Sequence, residues 1–363
     1  MALVESRQAG DAALSERQRL PSLDGLRGLA VAMVVVFHSG EGWTELTEFG
    51  RSGVDLFFVL SGFLITRILL RTRGQPGIFR SFYARRVLRI FPVYFLYLAF
   101  LACFLTLFAP AAVSASFQRA WPWYAAFLTN VKLALFYDDD VGSVQHLWTL
   151  AIEEQFYLVW PALVTLMPRR MLARFVATTI VGVPVLRAWM ATHGGDDAVE
   201  TSFRISMLTW TRVDTLMFGS LLALIHARPN TWNMLIRTAP ALLVIAAGAL
   251  ALPLSAALDY SWIALLFAAV VAMCVGFDER GIELPGLCSR PLRYLGTISY
   301  AVYVLHFLLT LLVTRWVRGA GVEGSVGFAI TLTAVGASSL LLATLSYRFI
   351  ERPALALKRH FPL

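Results

Sequence analysis

Arg27 and His38 stand eleven residues apart in the first apolar stretch of the chain, LPSLDGLRGLAVAMVVVFHSG. Ionisable groups inside a bilayer cost roughly 2.5–3.5 kcal/mol each on insertion scales, so they persist there for a task. In a helix, eleven residues are close to three turns, which puts His38 about 16 Å above Arg27 and on roughly the same face. A guanidinium near one membrane face is suited to bidentate phosphate binding. An imidazole is the side chain that most readily takes up a proton near neutral pH. Asp24, three residues before Arg27, suits two roles equally: the cap or first-turn acid of the helix, or the partner of Arg27.

Groups placed this way need helices that cross a membrane, and the composition supplies them. The 363 residues are 58% hydrophobic and only 15% charged, where a soluble domain carries about 25% charged residues; the mean hydropathy is +0.67. The expected fold is all-α, a polytopic membrane bundle of about ten transmembrane helices. They fall near 25–40, 54–70, 90–110, 147–167, 172–191, 205–226, 238–253, 260–277, 294–314 and 325–346. The aromatic-rich segment 121–137 is expected to be re-entrant or interfacial, because counting it as a span would invert the charge pattern after it. Basic residues cluster on the side of both termini, above all in an expected loop over 67–89, so both termini are expected in the cytoplasm. The net charge of +8 follows these loops and points to no nucleic-acid partner. Residues 1–22 read as a polar N-terminal tail without a cleavable signal, 23–353 as one membrane domain, and 354–363 as a C-terminal tail. Cys103, Cys274 and Cys288 lack metal-ligand spacing, and no string suggests a metal site or a nucleotide fold.

Seven short strings appear in order: LDGLRGLA…FH from Leu23 to His38, GVDLFFVLSGFLI from Gly53, FYARRVLRIFPVY from Phe82, HLWTLAIEEQFYLVWP from His146, RVDTLMFG from Arg212, LGTISYAVYVLH from Leu295 and SYRFIERP from Ser346. Together they resemble the acyltransferase-3 family of bacterial membrane O-acyltransferases over about residues 20–355. The resemblance implies an enzyme of the inner membrane that moves an acyl group, most often acetyl from cytoplasmic acetyl-CoA, to a hydroxyl. The implied acceptor is a carbohydrate such as an exopolysaccharide, an O-antigen or a lipid-linked sugar precursor. It also implies that His38 is the general base and that Arg27, with the RxxR pair Arg86 and Arg89, holds the phosphates of CoA; positive-inside charge alone is the plainer account of the pair.

Other polar residues sit in or near the expected spans. Asp55 is expected at the depth of His38, where it orients the imidazole, grips the acceptor, or pairs with an arginine such as Arg212. Glu153 and Glu154 point about 100° apart on a helix, so only one faces a given site; Glu153 matches the family acid, and Thr149 shares its face within reach of an acceptor. Arg212 and Asp214, two residues apart, are expected to find separate partners, as an ion network or an acceptor site. Tyr303 and His306 share one helix face and are candidates to contact substrate, with packing the commoner role for tyrosine. Ser61 and Gly62 are expected to permit close helix packing, and Glu351 with Pro353 to terminate the last helix. A proton-coupled secondary transporter using His38, Asp55, Arg212 and Asp214 is the competing reading, but the chain shows no internal repeat of the kind such transporters carry.

Overall fold

Pro21 opens helix α1 (Pro21–Ser39), at a position where the missing N–H of proline goes unneeded. Leu20 is its N-cap and makes no side-chain bond. Asp24 is therefore not the cap; it is a first-turn acid 3.6 Å from Arg27. The computed structural model describes residues 20–40, 47, 49–136, 142–195, 197–252 and 256–363, so the tail over 1–19 lies outside the described residues.

The described chain is helical throughout, without a strand. After α1 come α2 (Gly53–Arg71), α3 (Ile78–Phe108), and the short α4 (Ala111–Ala125) and α5 (Thr129–Leu135). Next are α6 (Trp148–Leu166), α7 (Arg169–His193), α8 (Ala198–Met207) and α9 (Thr209–His226). The set ends with α10 (Pro229–Leu250), α11 (Ala256–Glu279), α12 (Arg290–Gly319), α13 (Gly324–Ser346) and α14 (Arg352–Ala356). Each expected span coincides with a helix of at least 18 residues. Eight of these are long and apolar enough to cross a membrane on their own, which makes the chain a multi-pass membrane protein. The other two are α6 and α9. Glu153, Glu154 and Gln155 lower the hydropathy of α6, and Arg212 and Asp214 that of α9, so the polar site itself weakens their signal.

Three expectations about the elements are corrected, those for 67–89, 205–226 and Glu351, and the 121–137 segment keeps its expected failure to cross. The arginine-rich 67–89 region is mostly helix: α2 runs to Arg71 and α3 begins at Ile78, which leaves only 72–77 between them. Arg86 and Arg89 therefore stand within α3. The span expected over 205–226 is broken at Leu208, with α8 and α9 bent by 43°. Asn130 on α5 donates to the Met207 carbonyl and to Thr209 Oγ1, and Gln155 of α6 donates to Asn130, so side chains fasten the break. The 121–137 segment is the end of α4 plus the seven-residue α5, too short to cross, and α5 packs on α6 and α8. Finally, α13 does not simply stop at Glu351. It passes through a π-helical turn over Tyr347–Glu351 into α14, and Glu351 is turned inward to 1% exposure, 3.9 Å from Arg89.

Two helix pairs set the geometry of the centre, α1 with α12 and α2 with α9. A Cβ on Gly296 of α12 would lie 1.8 Å from the Asp24 carbonyl oxygen, and one on Gly28 would lie 2.2 Å from the Leu292 oxygen. In the second pair, Gly62 and Gly219 would each place a Cβ 2.0 Å from a backbone oxygen opposite, of Leu216 and Val59. The approach is backbone to backbone, so no side chain can rotate away. Gly296→Val is expected to destabilise the protein by about 1–3 kcal/mol or more through overpacking, read as a lower unfolding temperature in detergent. An unchanged temperature would mean that α1 and α12 separate without cost.

Candidate active site

Helices α1, α2, α3, α6 and α12 surround a cavity of about 110 Å³ at the arginine end of the bundle. Arg27, Arg86 and Arg89 line it together with Ser61, Glu153, Tyr157, Thr149 and Tyr303. The i, i+3 spacing of Arg86 and Arg89 puts both on one face of α3. Arg86 lies over the Tyr157 ring at 5.0 Å, a cation–π contact that holds the guanidinium in place. Arg89 donates weakly to the Thr297 carbonyl and has Glu351 as its nearest acid. Ser61 donates to Glu153 Oε1 at 2.6 Å. Ser61 is thus a polar partner of Glu153, while Gly62 beside it makes the close helix approach.

A second cavity of about 250 Å³ lies at the other end of α1 and is lined by His38, Asp55, Arg51, His146, Trp148, Arg212 and Tyr260, among others. Val54 and Tyr303 line both cavities and form their common wall. Tyr303 is pinned there: its hydroxyl donates to the His146 carbonyl at 2.9 Å and lies 2.6 Å from Thr149 Oγ1.

The hydrogen-bond pattern assigns the tautomers of His38 and His306. His306 Nδ1 faces the carbonyls of Tyr303 and Val302 at 2.6 and 3.2 Å, so it bears the hydrogen and its Nε2 is a lone pair. That Nε2 is 3.1 Å from His38 Nδ1, which also faces the Val34 carbonyl at 3.0 Å. His38 Nδ1 therefore bears a hydrogen, and its Nε2 is left as a free base. Phe37 and Phe307 flank the His38 ring, each with centroids 4.8 Å away and edge to face. An imidazole held at one nitrogen with a lone pair on the other can take up a proton.

Two ion pairs support the histidine end. Arg212 bonds Asp55 at 2.6 Å and stacks on Tyr260 with its guanidinium carbon 3.7 Å from the ring centre. Asp214 is bound by Arg187 through two bonds of 3.0 and 2.9 Å and also accepts from Ser261. Arg187 and Asp214 are both fully buried. Arg187 also donates to the carbonyls of Ala257 and Thr211, so this one side chain joins α7, α9 and α11.

The model of an acyltransferase domain matches residues 20–348. The chain belongs to the acyltransferase-3 family. Among similar proteins are the peptidoglycan O-acetyltransferase OatA of Listeria monocytogenes, 31% identical over 93% of this chain and 56% of its own length, and the putative peptidoglycan O-acetyltransferase YrhL of Bacillus subtilis, 32% identical over 92% and 54%. The O-acetyltransferase OatA of Staphylococcus aureus is 29% identical over 92% of this chain and 57% of its own. The chain spans a little over half the length of these relatives. No solved structure matches it.

Within this acyltransferase-3 domain, the expected site residues divide between the two cavities. Arg27, Arg86, Arg89, Glu153 and Thr149 gather at the arginine end, so Glu153 stands with the arginines and not with His38. His38, Asp55 and Arg212 gather at the histidine end. Asp55 pairs with Arg212, one of the three roles expected for it, and the side chain bonded to His38 is His306. His306 and Asp214, expected to contact substrate, line neither cavity. Both are fully buried and act on other protein groups. Arg212 and Asp214 do find separate partners. The sequence reading missed His146, although it begins one of the motif strings, and Arg187, which follows the apolar run 175–186 of α7. Among the described residues, no group of three or more His, Cys, Asp or Glu is arranged to hold a metal ion.

Proposed function

We propose that this chain transfers an acetyl group from cytoplasmic acetyl-CoA to a hydroxyl of a bacterial cell-envelope carbohydrate. The observation that carries the reading is the pair of neighbouring cavities that share Tyr303 and Val54 as a wall, one lined by Arg27, Arg86 and Arg89 and the other by His38. Arg27, Arg86 and Arg89 bind the phosphates of CoA, for which forked guanidiniums are well matched. The reach from Arg27 to His38, roughly 16 Å along α1, is spanned by an extended donor arm passing the Tyr303 wall. His38 Nε2 takes the proton of the acceptor hydroxyl as its oxygen attacks the thioester carbonyl. A C–O bond forms, the C–S bond breaks, and the proton passes to the departing thiolate.

The relatives named as peptidoglycan O-acetyltransferases make peptidoglycan glycan the first acceptor to try. In this reading the chain lies in the bacterial inner membrane with both termini cytoplasmic, an orientation its charge distribution supports, and the arginine cavity faces the CoA pool.

The test is acetyl transfer by purified protein in detergent, from acetyl-CoA to peptidoglycan fragments, with CoA binding measured separately. Replacing both arginines, Arg86→Ala with Arg89→Ala, is expected to weaken CoA binding by at least about a hundredfold, since charge-assisted hydrogen bonds contribute roughly 1.5–3 kcal/mol each. Folded wild-type protein that binds no CoA would overturn the donor assignment and bring the transporter reading forward.

A further inference from the structure

Two side chains that line the histidine-end cavity each carry a buried polar atom whose bonding the protein leaves incomplete, and the two atoms are of opposite kinds. His146 lies in the 3₁₀ turn Gly142–Leu147 and is 2% exposed. Its Nε2 faces the Val304 carbonyl at 3.0 Å, so Nε2 bears the hydrogen and Nδ1 is a lone pair. Among the described residues nothing bonds that Nδ1. The ring cannot swing away, because Phe307 stacks on it at 4.9 Å and Tyr97 and Tyr303 pack around it. On the same cavity, Arg212 spends one terminal nitrogen on Asp55 and its face on Tyr260, yet its buried Nε–H has no acceptor. Unmet buried polar groups are costly, and in native proteins each one asks for an explanation.

Resting on the proposed acetyl transfer, we infer that these atoms read the acceptor sugar beside the hydroxyl that reacts. His146 Nδ1 accepts a hydrogen bond from a second O–H or amide N–H of the sugar, and Arg212 Nε donates to one of its oxygens. His38 and His146 both lie beside His306, with ring centroids 5.0 and 5.5 Å from it, and both line the histidine-end cavity. One base takes a proton and the other takes only a hydrogen bond. The division follows from their bonding. The far nitrogen of His38 meets His306 as well as the Val34 carbonyl, whereas the far nitrogen of His146 meets a backbone carbonyl alone. His146 is thus a specificity-determining residue for the acceptor.

The discriminating variant is His146→Gln, whose amide keeps a donor for the Val304 carbonyl and loses the Nδ1 lone pair. Wild type and variant are compared on peptidoglycan disaccharide fragments, on counterparts each lacking one free hydroxyl, and on a counterpart with its acetamide N–H methylated. For the variant, KM for the parent fragment is expected to rise about tenfold, the factor one lost hydrogen bond produces, with kcat changed less than threefold. The wild type should lose a similar factor on one altered fragment, the one without the donor that His146 reads. The variant should treat that fragment and the parent alike, and the identity of the fragment separates a hydroxyl from an amide. A fall in kcat with unchanged KM, or the same fragment discrimination in both proteins, would overturn the inference. If His146→Gln does not fold, the wild-type series decides: equal kcat/KM on every fragment that retains the reacting hydroxyl overturns it. Wild type that transfers acetyl to no fragment while still binding CoA would instead overturn the acceptor reading on which the inference rests.

Discussion

His38→Ala is expected to reduce acetyl transfer by about 10²–10⁴-fold, the range in which a positioned general base contributes, while CoA binding stays within a factor of two. The two effects separate because His38 and the arginines line different cavities. The neighbouring histidine sharpens the test. His306 offers Nε2 as an acceptor to His38 Nδ1–H, so it steadies the imidazolium formed when His38 takes the proton. His306→Gln, which can present an amide oxygen near the same place, is expected to retain more activity than His306→Leu. The Leu variant should lose about a further tenfold, the size of one hydrogen bond to a charged group. Equal activity in the Gln and Leu variants would remove His306 from the proton-transfer step. Full activity in His38→Ala would require another base.

Asp214→Ala is expected to be the most destabilising single change at the centre. Arg187 would keep a fully buried guanidinium without its carboxylate, and breaking such a pair from one side costs about 3–5 kcal/mol. Because Arg187 also binds carbonyls on α9 and α11, the loss reaches three helices. The measurement is the unfolding temperature of purified protein in detergent, beside the double replacement Arg187→Met with Asp214→Leu. The double variant removes both charges and is expected to recover much of the loss, because an apolar pair of similar volume often matches a buried ion pair. A single variant as stable as wild type would show that the network does not hold α7, α9 and α11 together. Should the double variant remain stable yet transfer no acetyl, the network would be positioning Arg212 and Asp55 and not the bundle.

Local chemistry made much of this protein legible along the chain. Apolar runs about as long as a bilayer is thick must become helices, since an unsatisfied backbone is too costly in lipid, and nine of the ten expected spans are each matched by one helix, the span over 205–226 being broken at Leu208. Arg27 and His38 share a helix, so their separation follows from its rise alone. For the same reason Glu153 and Glu154 diverge, and Arg86 and Arg89 share a face of α3.

Relations between helices were not legible, because a side chain's spacing along its own helix does not choose its partner on another. His38 meets His306 across 268 positions of sequence, and Arg212 meets Asp55 across 157. Spacing placed Thr149 and Glu153 on one face, but only the packing of α6 against α2 and α3 put Glu153 with the arginines. Gly28, Gly62, Gly219 and Gly296 set those partnerships by letting backbones touch. The break at Leu208 was hidden because the side chains that satisfy it come from α5 and α6. The motifs named the candidate groups; helix packing sorted most of them into two cavities and made His306, not Asp55, the partner of His38.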